Sequence, residues 1–170
     1  PEPVRPMDRN VRRMERGKKA QTFQMIGFPG VTVASELNYP LDVLQSAVSG
    51  LGGIFFEAVR GKRGLAYVVG AANMAKRLGG YFVVYLGTSP DKEEEARSIV
   101  LDEIAQFQAR GIPEAEIPRA RSYVLGTYPI ALQTHAARAL TYAATEVQDR
   151  GMEEVLAYPD RIRSVTPGQV

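Results

Sequence analysis

Apolar residues change their spacing part-way along this chain, and the change separates a strand-bearing first half from a helical second half. Ala20 to Phe28 (AQTFQMIGF) has strand composition and stops at Pro29-Gly30, a turn signal. Leu65 to Met74 (LAYVVGAANM) and Tyr81 to Thr88 (YFVVYLGT) predict two more strands, joined as a hairpin through Arg77 to Gly80. Between the first strand and the hairpin, Pro40 to Ser49 predicts a short helix with Leu41, Leu44 and Val48 on one face. Ser49 to Gly53 breaks it, and a helical pattern resumes over Ile54 to Arg60 before the turn Gly61 to Gly64.

Beyond Thr88 the period lengthens to that of helices. Ser89-Pro90 opens one as cap and first helical residue, Ala96, Ile99, Val100, Ile104 and Phe107 form its buried stripe, and Gly111 ends it. A second runs from about Pro118 to Leu125. Thr134 caps a third, with Leu140, Ala143 and Val147 expected inward and Gly151 at its end. A last short helix is expected to begin near Pro159. Strands followed by segregated helices predict a two-layer α+β domain, a mostly antiparallel sheet with helices packed on one face. No repeat of solenoid spacing and no low-complexity tract interrupts it.

The two ends carry their own signals. Pro1 to Lys19 is rich in Pro and Arg and reads as an interdomain linker, leaving residues 20–170 as the folded domain. No initiator Met and no signal-like segment open the chain. Thr166-Pro167 announces a helix just before Val170, so the domain is expected to be shortened at its C-terminal end and the chain to be part of a longer protein.

Composition narrows the chemistry. Of 170 residues 45% are apolar and 24% charged, ordinary proportions for a chain with one core. No apolar run approaches the ~20 residues that span a bilayer, so a soluble domain is expected, with no membrane partner; the cytoplasm and the periplasm both stay open. Twenty-one basic residues face 19 acidic ones, a formal charge of +2 that does not argue for nucleic acid. With no Cys and a single histidine, His135, the chain offers too few ligands for a protein-built zinc site.

Most local clusters have plain explanations. Ser49 to Gly53 lacks both the G-x-G-x-x-G and the Lys-Ser/Thr of phosphate loops and reads as a break between helices. Arg60, Lys62 and Arg63 make a basic turn with only Tyr67 as an aromatic neighbour, short of a nucleic-acid face. His135 follows a helix cap and reads as a surface residue. Glu93 to Glu95 complement a helix dipole. Arg60 and Tyr67 differ: the turn Gly61 to Gly64 folds the strand back beside the helix end, so two long donors can face one space. An Arg and a Tyr together suit a backbone carbonyl or a developing oxyanion; an exposed Arg beside a half-buried Tyr is the plainer alternative.

The stretch Leu51-Gly52-Gly53-Ile54-Phe55-Phe56-Glu57-Ala58-Val59-Arg60-Gly61-Lys62-Arg63-Gly64-Leu65-Ala66-Tyr67 resembles a signature of the insulinase, pitrilysin and mitochondrial-processing-peptidase family. The resemblance continues through Tyr81 to Thr88, Glu93 to Arg110, Glu116 to Tyr128 and Tyr158 to Thr166, nearly the whole chain from about Lys18. In that family one domain carries a His-x-x-Glu-His zinc motif, and its homologous partner lacks it and supplies an Arg–Tyr pair. This chain has no such motif and is similar to the second kind. The resemblance implies no catalytic residue and no metal in this chain, with Arg60 and Tyr67 as substrate-binding residues. It implies a zinc in a partner catalytic domain, on the same or a separate polypeptide, where zinc activates water and a Glu takes its proton. It also implies a peptide substrate and leaves a homo- or heterodimer open.

Two departures from the family follow. Pro118 falls where the family has a helix interior, and the family's final helix and strand are missing after Val170, so the sheet is expected to lack one strand unless a neighbouring chain supplies it. Ser49 to Gly53 is similar in place to the glycine-rich loop of processing-peptidase α subunits but far shorter. A structural protein of the same fold without proteolysis, and an anion- or nucleic-acid-binding module built on Arg60, Lys62 and Arg63, are the alternative readings.

Overall fold

The computed structural model describes residues 10–15, 17–61 and 63–170. Of the expected linker, residues 1–9 and Arg16 lie outside the described residues; the described remainder up to Lys19 is exposed and forms no helix or strand. Three strands follow as the alternation of side chains requires: β1 (Thr22–Pro29), β2 (Ala66–Ala75) and β3 (Gly80–Thr88). They form an antiparallel sheet in the order β1-β3-β2. Its register sets Ile26 and Ala71 against Val84, and Gln24 and Val69 against Leu86. This is the α+β, antiparallel architecture that the sequence predicts.

Six helices complete the fold among the described residues: α1 (Asn38–Val48), α2 (Ile54–Phe56), α3 (Glu93–Arg110), α4 (Glu116–Ala131), α5 (His135–Val147) and α6 (Met152–Ser164). α1, α2 and α3 pack on one face of the sheet, α4 and α6 pack on α1, and α5 packs on α6. Val84 and Leu86 join Val43 and Val48 of α1, Phe55 of α2, Val100 of α3, Ile117 of α4 and Ile162 of α6 in a core without solvent access. Burying each of these large side chains contributes roughly 1.5–3 kcal/mol. The opposite face is open and carries exposed Phe23, Met25, Tyr67 and Tyr81.

Three helical expectations are corrected. The helix expected near Pro159 starts seven residues earlier, at Met152, with Pro159 inside it. A proline there cannot donate to the carbonyl four residues back. The Tyr128 hydroxyl of α4 donates to that carbonyl, Val155 O, at 2.8 Å, and so fills the gap from outside the helix. The second helix runs to Ala131 rather than Leu125, again through an interior proline, Pro129, and it starts at Glu116, so that Pro118 lies in its first turn.

The third correction concerns α5, whose apolar stripe faces outward. Leu140 is 72% and Val147 73% exposed, and Ala143 is exposed as well. Thr141 and Thr145 take the inner side, Thr145 at 7% exposure. Their hydroxyls donate to Ala137 O and Thr141 O one turn back, which satisfies them without solvent. Periodicity finds the two faces of a helix; it does not say which one the fold uses.

The outer edge of β2 is closed by side chains. Ala71 N donates to Ser49 Oγ (2.8 Å) and Asn73 N to Gln45 Oε1 (2.7 Å), both from the end of α1. Ser49 is thus tied to the sheet and is not part of a free loop.

Candidate functional site

Arg60 and Tyr67 are positioned by the passage from α2 into β2. Glu57–Gly61 winds as a π-helical turn, a wider form that often marks functional positions. Phe55 and Val59 anchor it in the core, which leaves Arg60 on the exposed side. The chain returns through Leu65 N to Val59 O (2.8 Å), and the buried Thr88 hydroxyl clasps Leu65 O at 2.6 Å. The start of β2 is therefore fixed beside the end of the turn, as the sequence reading requires.

Tyr67 sits at an irregularity in the β2–β3 pairing: Ala66 faces Thr88 and Val68 faces Gly87, which leaves Tyr67 as the extra residue. Such a bulge re-aims a side chain. The ring lies on the open face of the sheet directly over Gly87, where a Cβ would come within 2.6 Å of its hydroxyl. Tyr85 makes the reciprocal crossing, with its hydroxyl over Gly70, where a Cβ would stand 2.7 Å away. Each strand thus supplies a glycine to seat the other's tyrosine.

The donors of the pair do not meet head to head. Arg60 Nη1 donates to the Tyr67 carbonyl at 2.6 Å, and the guanidinium lies 5.3 Å from the centre of the Phe56 ring. The Tyr67 hydroxyl donates to Gln21 Oε1 at 3.1 Å. Both side chains are exposed, Tyr67 at 43%. Next to Tyr67 a hollow of about 370 Å³ is bounded by Lys19, Ala20, Gln21 and Phe23. Sequence reasoning missed Lys19, Gln21 and Phe23. They stand where linker passes into strand, and nothing in their spacing ties them to residues more than forty positions away.

The remaining expected groups lie elsewhere. His135 opens α5 at the surface with Arg138 3.0 Å from its Nδ1. Among the described residues no three His, Asp or Glu side chains gather as metal ligands, and the donor set of this chain does not fit a zinc ion. No helix among them is long and apolar enough to cross a membrane. Arg63 is exposed.

With this geometry in hand, three comparisons bear on the chain. The family model described as peptidase M16 inactive domain matches residues 1–124. An uncharacterised zinc protease of Streptomyces coelicolor is 30% identical over 157 residues, which cover 90% of this chain and 34% of that protein. A solved structure of a peptidase M16 inactive domain from Pseudomonas fluorescens superposes with a TM-score of 0.81 at 20% identity, over 89% of this chain and 36% of that one. A conserved protein from Enterococcus faecalis superposes at 0.84 and 19% identity, over 99% of this chain and 40% of that one. The chain spans between 26% and 34% of the length of the curated relatives it matches.

Proposed function

Because the chain belongs to the peptidase M16 inactive-domain family, we propose that it is the substrate-gripping half of a zinc metalloendopeptidase, with Arg60 and Tyr67 holding peptide against a metal site carried by another domain. That domain is fused to this one through the segment before β1 or is a separate subunit. The chain's own work is to bind and orient the peptide and to stabilise charge on its carbonyl oxygen. Bond cleavage belongs to the partner.

One observation carries this reading. Each of the two donors is already engaged with an amide carbonyl, Arg60 with that of Tyr67 and Tyr67 with the side-chain amide of Gln21. A peptide offers the same acceptor. A bound peptide would take the place of Gln21 in the open hollow, and Lys19 at its rim favours an electron-rich ligand.

The test is kcat/KM in the longer protein that contains this chain and a His-x-x-Glu-His domain. Arg60→Ala and Tyr67→Phe should each reduce it, by up to the ~10²–10³ typical of losing one oxyanion donor. Their double mutant should fall short of the product of the two losses, because both act on one group. Gln21→Ala should lower KM and leave kcat unchanged. Melting temperatures should hold in all of them. Wild-type turnover in the double mutant would reduce the pair to surface residues and favour a structural protein of the same fold.

A further inference from the structure

A second concavity shares no residue with the hollow beside Tyr67. It is a cleft of about 450 Å³ between α1, α4 and the closed edge of β2. Asp42 and Gln45 of α1 line it, with Tyr123 and Tyr128 of α4, Tyr158 of α6 and Tyr85 reaching over from β3. Tyr128 and Tyr158 stack with centroids 4.5 Å apart, and Tyr123 is 62% exposed at the mouth. The volume suits a side-chain-sized group.

The charges around this cleft do not balance. Asp42 accepts from the Tyr158 hydroxyl at 2.7 Å and from Asn73 Nδ2 at 3.0 Å, both neutral donors. A carboxylate has room for about four such bonds. Nearby, Glu154 accepts from Tyr39 at 2.6 Å and also pairs with Arg150. Arg150 is thus taken up by Glu154, and among the described residues Asp42 joins no ion pair. Burial holds its carboxyl above the ordinary aspartate range, against the pull of its two hydrogen bonds and of Arg150. Beside it the buried Asn73 Oδ1 accepts nothing. Asp42 is half-buried and faces the cleft without a cationic partner, and the walls around it are aromatic.

We propose that this cleft binds a basic side chain of a peptide, with its ammonium or guanidinium head at Asp42 and its methylene stem along the tyrosine rings. The head gains a carboxylate and the ring faces. The stem gains apolar contact, as long basic side chains do wherever their heads find a polar partner. The assignment stands apart from the reading of Arg60 and Tyr67, and either can fail alone.

The experiment is an NMR titration of this chain with N-acetyl-lysine methylamide and N-acetyl-arginine methylamide, with the norleucine analogue and free spermidine as the other arms. A basic probe should shift the amides around Asp42 and Tyr123 saturably, and norleucine should not. Asp42→Asn should weaken binding at least tenfold with an undiminished Tm, since an amide can accept from Asn73 and donate to Tyr158. Tyr123→Ala, at an exposed position, should weaken it several-fold. Affinity should fall as the pH drops through the raised carboxyl pKa, where Asp42 takes up a proton and loses its charge. Equal binding of norleucine, binding unchanged in Asp42→Asn, or spermidine binding tenfold more tightly than either basic probe would each overturn the proposal.

Discussion

The sheet has two edges, and they are finished in opposite ways. Along the outer edge of β2, Arg60 caps the Tyr67 carbonyl, Ser49 caps the Ala71 amide and Gln45 caps the Asn73 amide. Along the outer edge of β1 no strand and no side chain takes the main-chain groups among the described residues. An unpaired edge is a template for another chain, which side-chain caps remove. The difference gives the two edges different work. The β2 edge is finished and carries the Asp42 cleft beside it. The β1 edge is left available next to the Tyr67 hollow, which Phe23 of β1 helps to form.

This contrast can be broken from either side. Opening the closed edge should have the largest effect. Ser49→Ala leaves the Ala71 amide without a partner, and Gln45→Ala does the same for Asn73. Each should cost about 0.5–1.5 kcal/mol of unfolding free energy, the net contribution of one hydrogen bond at an amide beside an open cleft. Urea unfolding of the two mutants measures it, and a loss under a few tenths of a kcal/mol in both would mean that the caps are incidental. Gly87→Ala should cost less, because Tyr67 is able to swing away. Its ring should leave Gln21, which would be seen as the loss of ring-to-Gln21 contacts in NMR; an unmoved ring would contradict the close seat over Gly87. The smallest effect is expected at the bare edge. Met25→Lys, on an exposed side chain, should change stability by no more than about 0.5 kcal/mol and should reduce self-association in sedimentation at high concentration. A mutant that unfolds would show that the β1 edge is already in use.

Much of the fold was legible in the sequence because the strand segments are short, apolar and punctuated by Pro-Gly and Gly-Gly. The neighbourhood of Arg60 and Tyr67 was legible too, since a buried helix end, a tight turn and a strand leave few placements. Other features depend on partners distant in the chain. The outward stripe of α5 follows from two threonines that satisfy themselves against their own helix. The closed edge depends on Ser49 and Gln45 reaching β2 more than twenty residues away, where composition records only a helix end before a glycine break. Gln21 falls under the same rule: it reads as an ordinary polar residue until the bulge at Tyr67 brings the hydroxyl to it.

The bond from Tyr128 to the Val155 carbonyl makes positions 128 and 159 heirs to one another's changes. With proline at 159, the hydroxyl at 128 is the donor that completes α6, and its loss strands an acceptor inside the domain. With alanine at 159, the helix would supply its own amide and phenylalanine at 128 would be tolerated. The pair should therefore behave in a genetic screen as lesion and suppressor, with Pro159→Ala restoring what Tyr128→Phe removes, although the two residues lie on different helices.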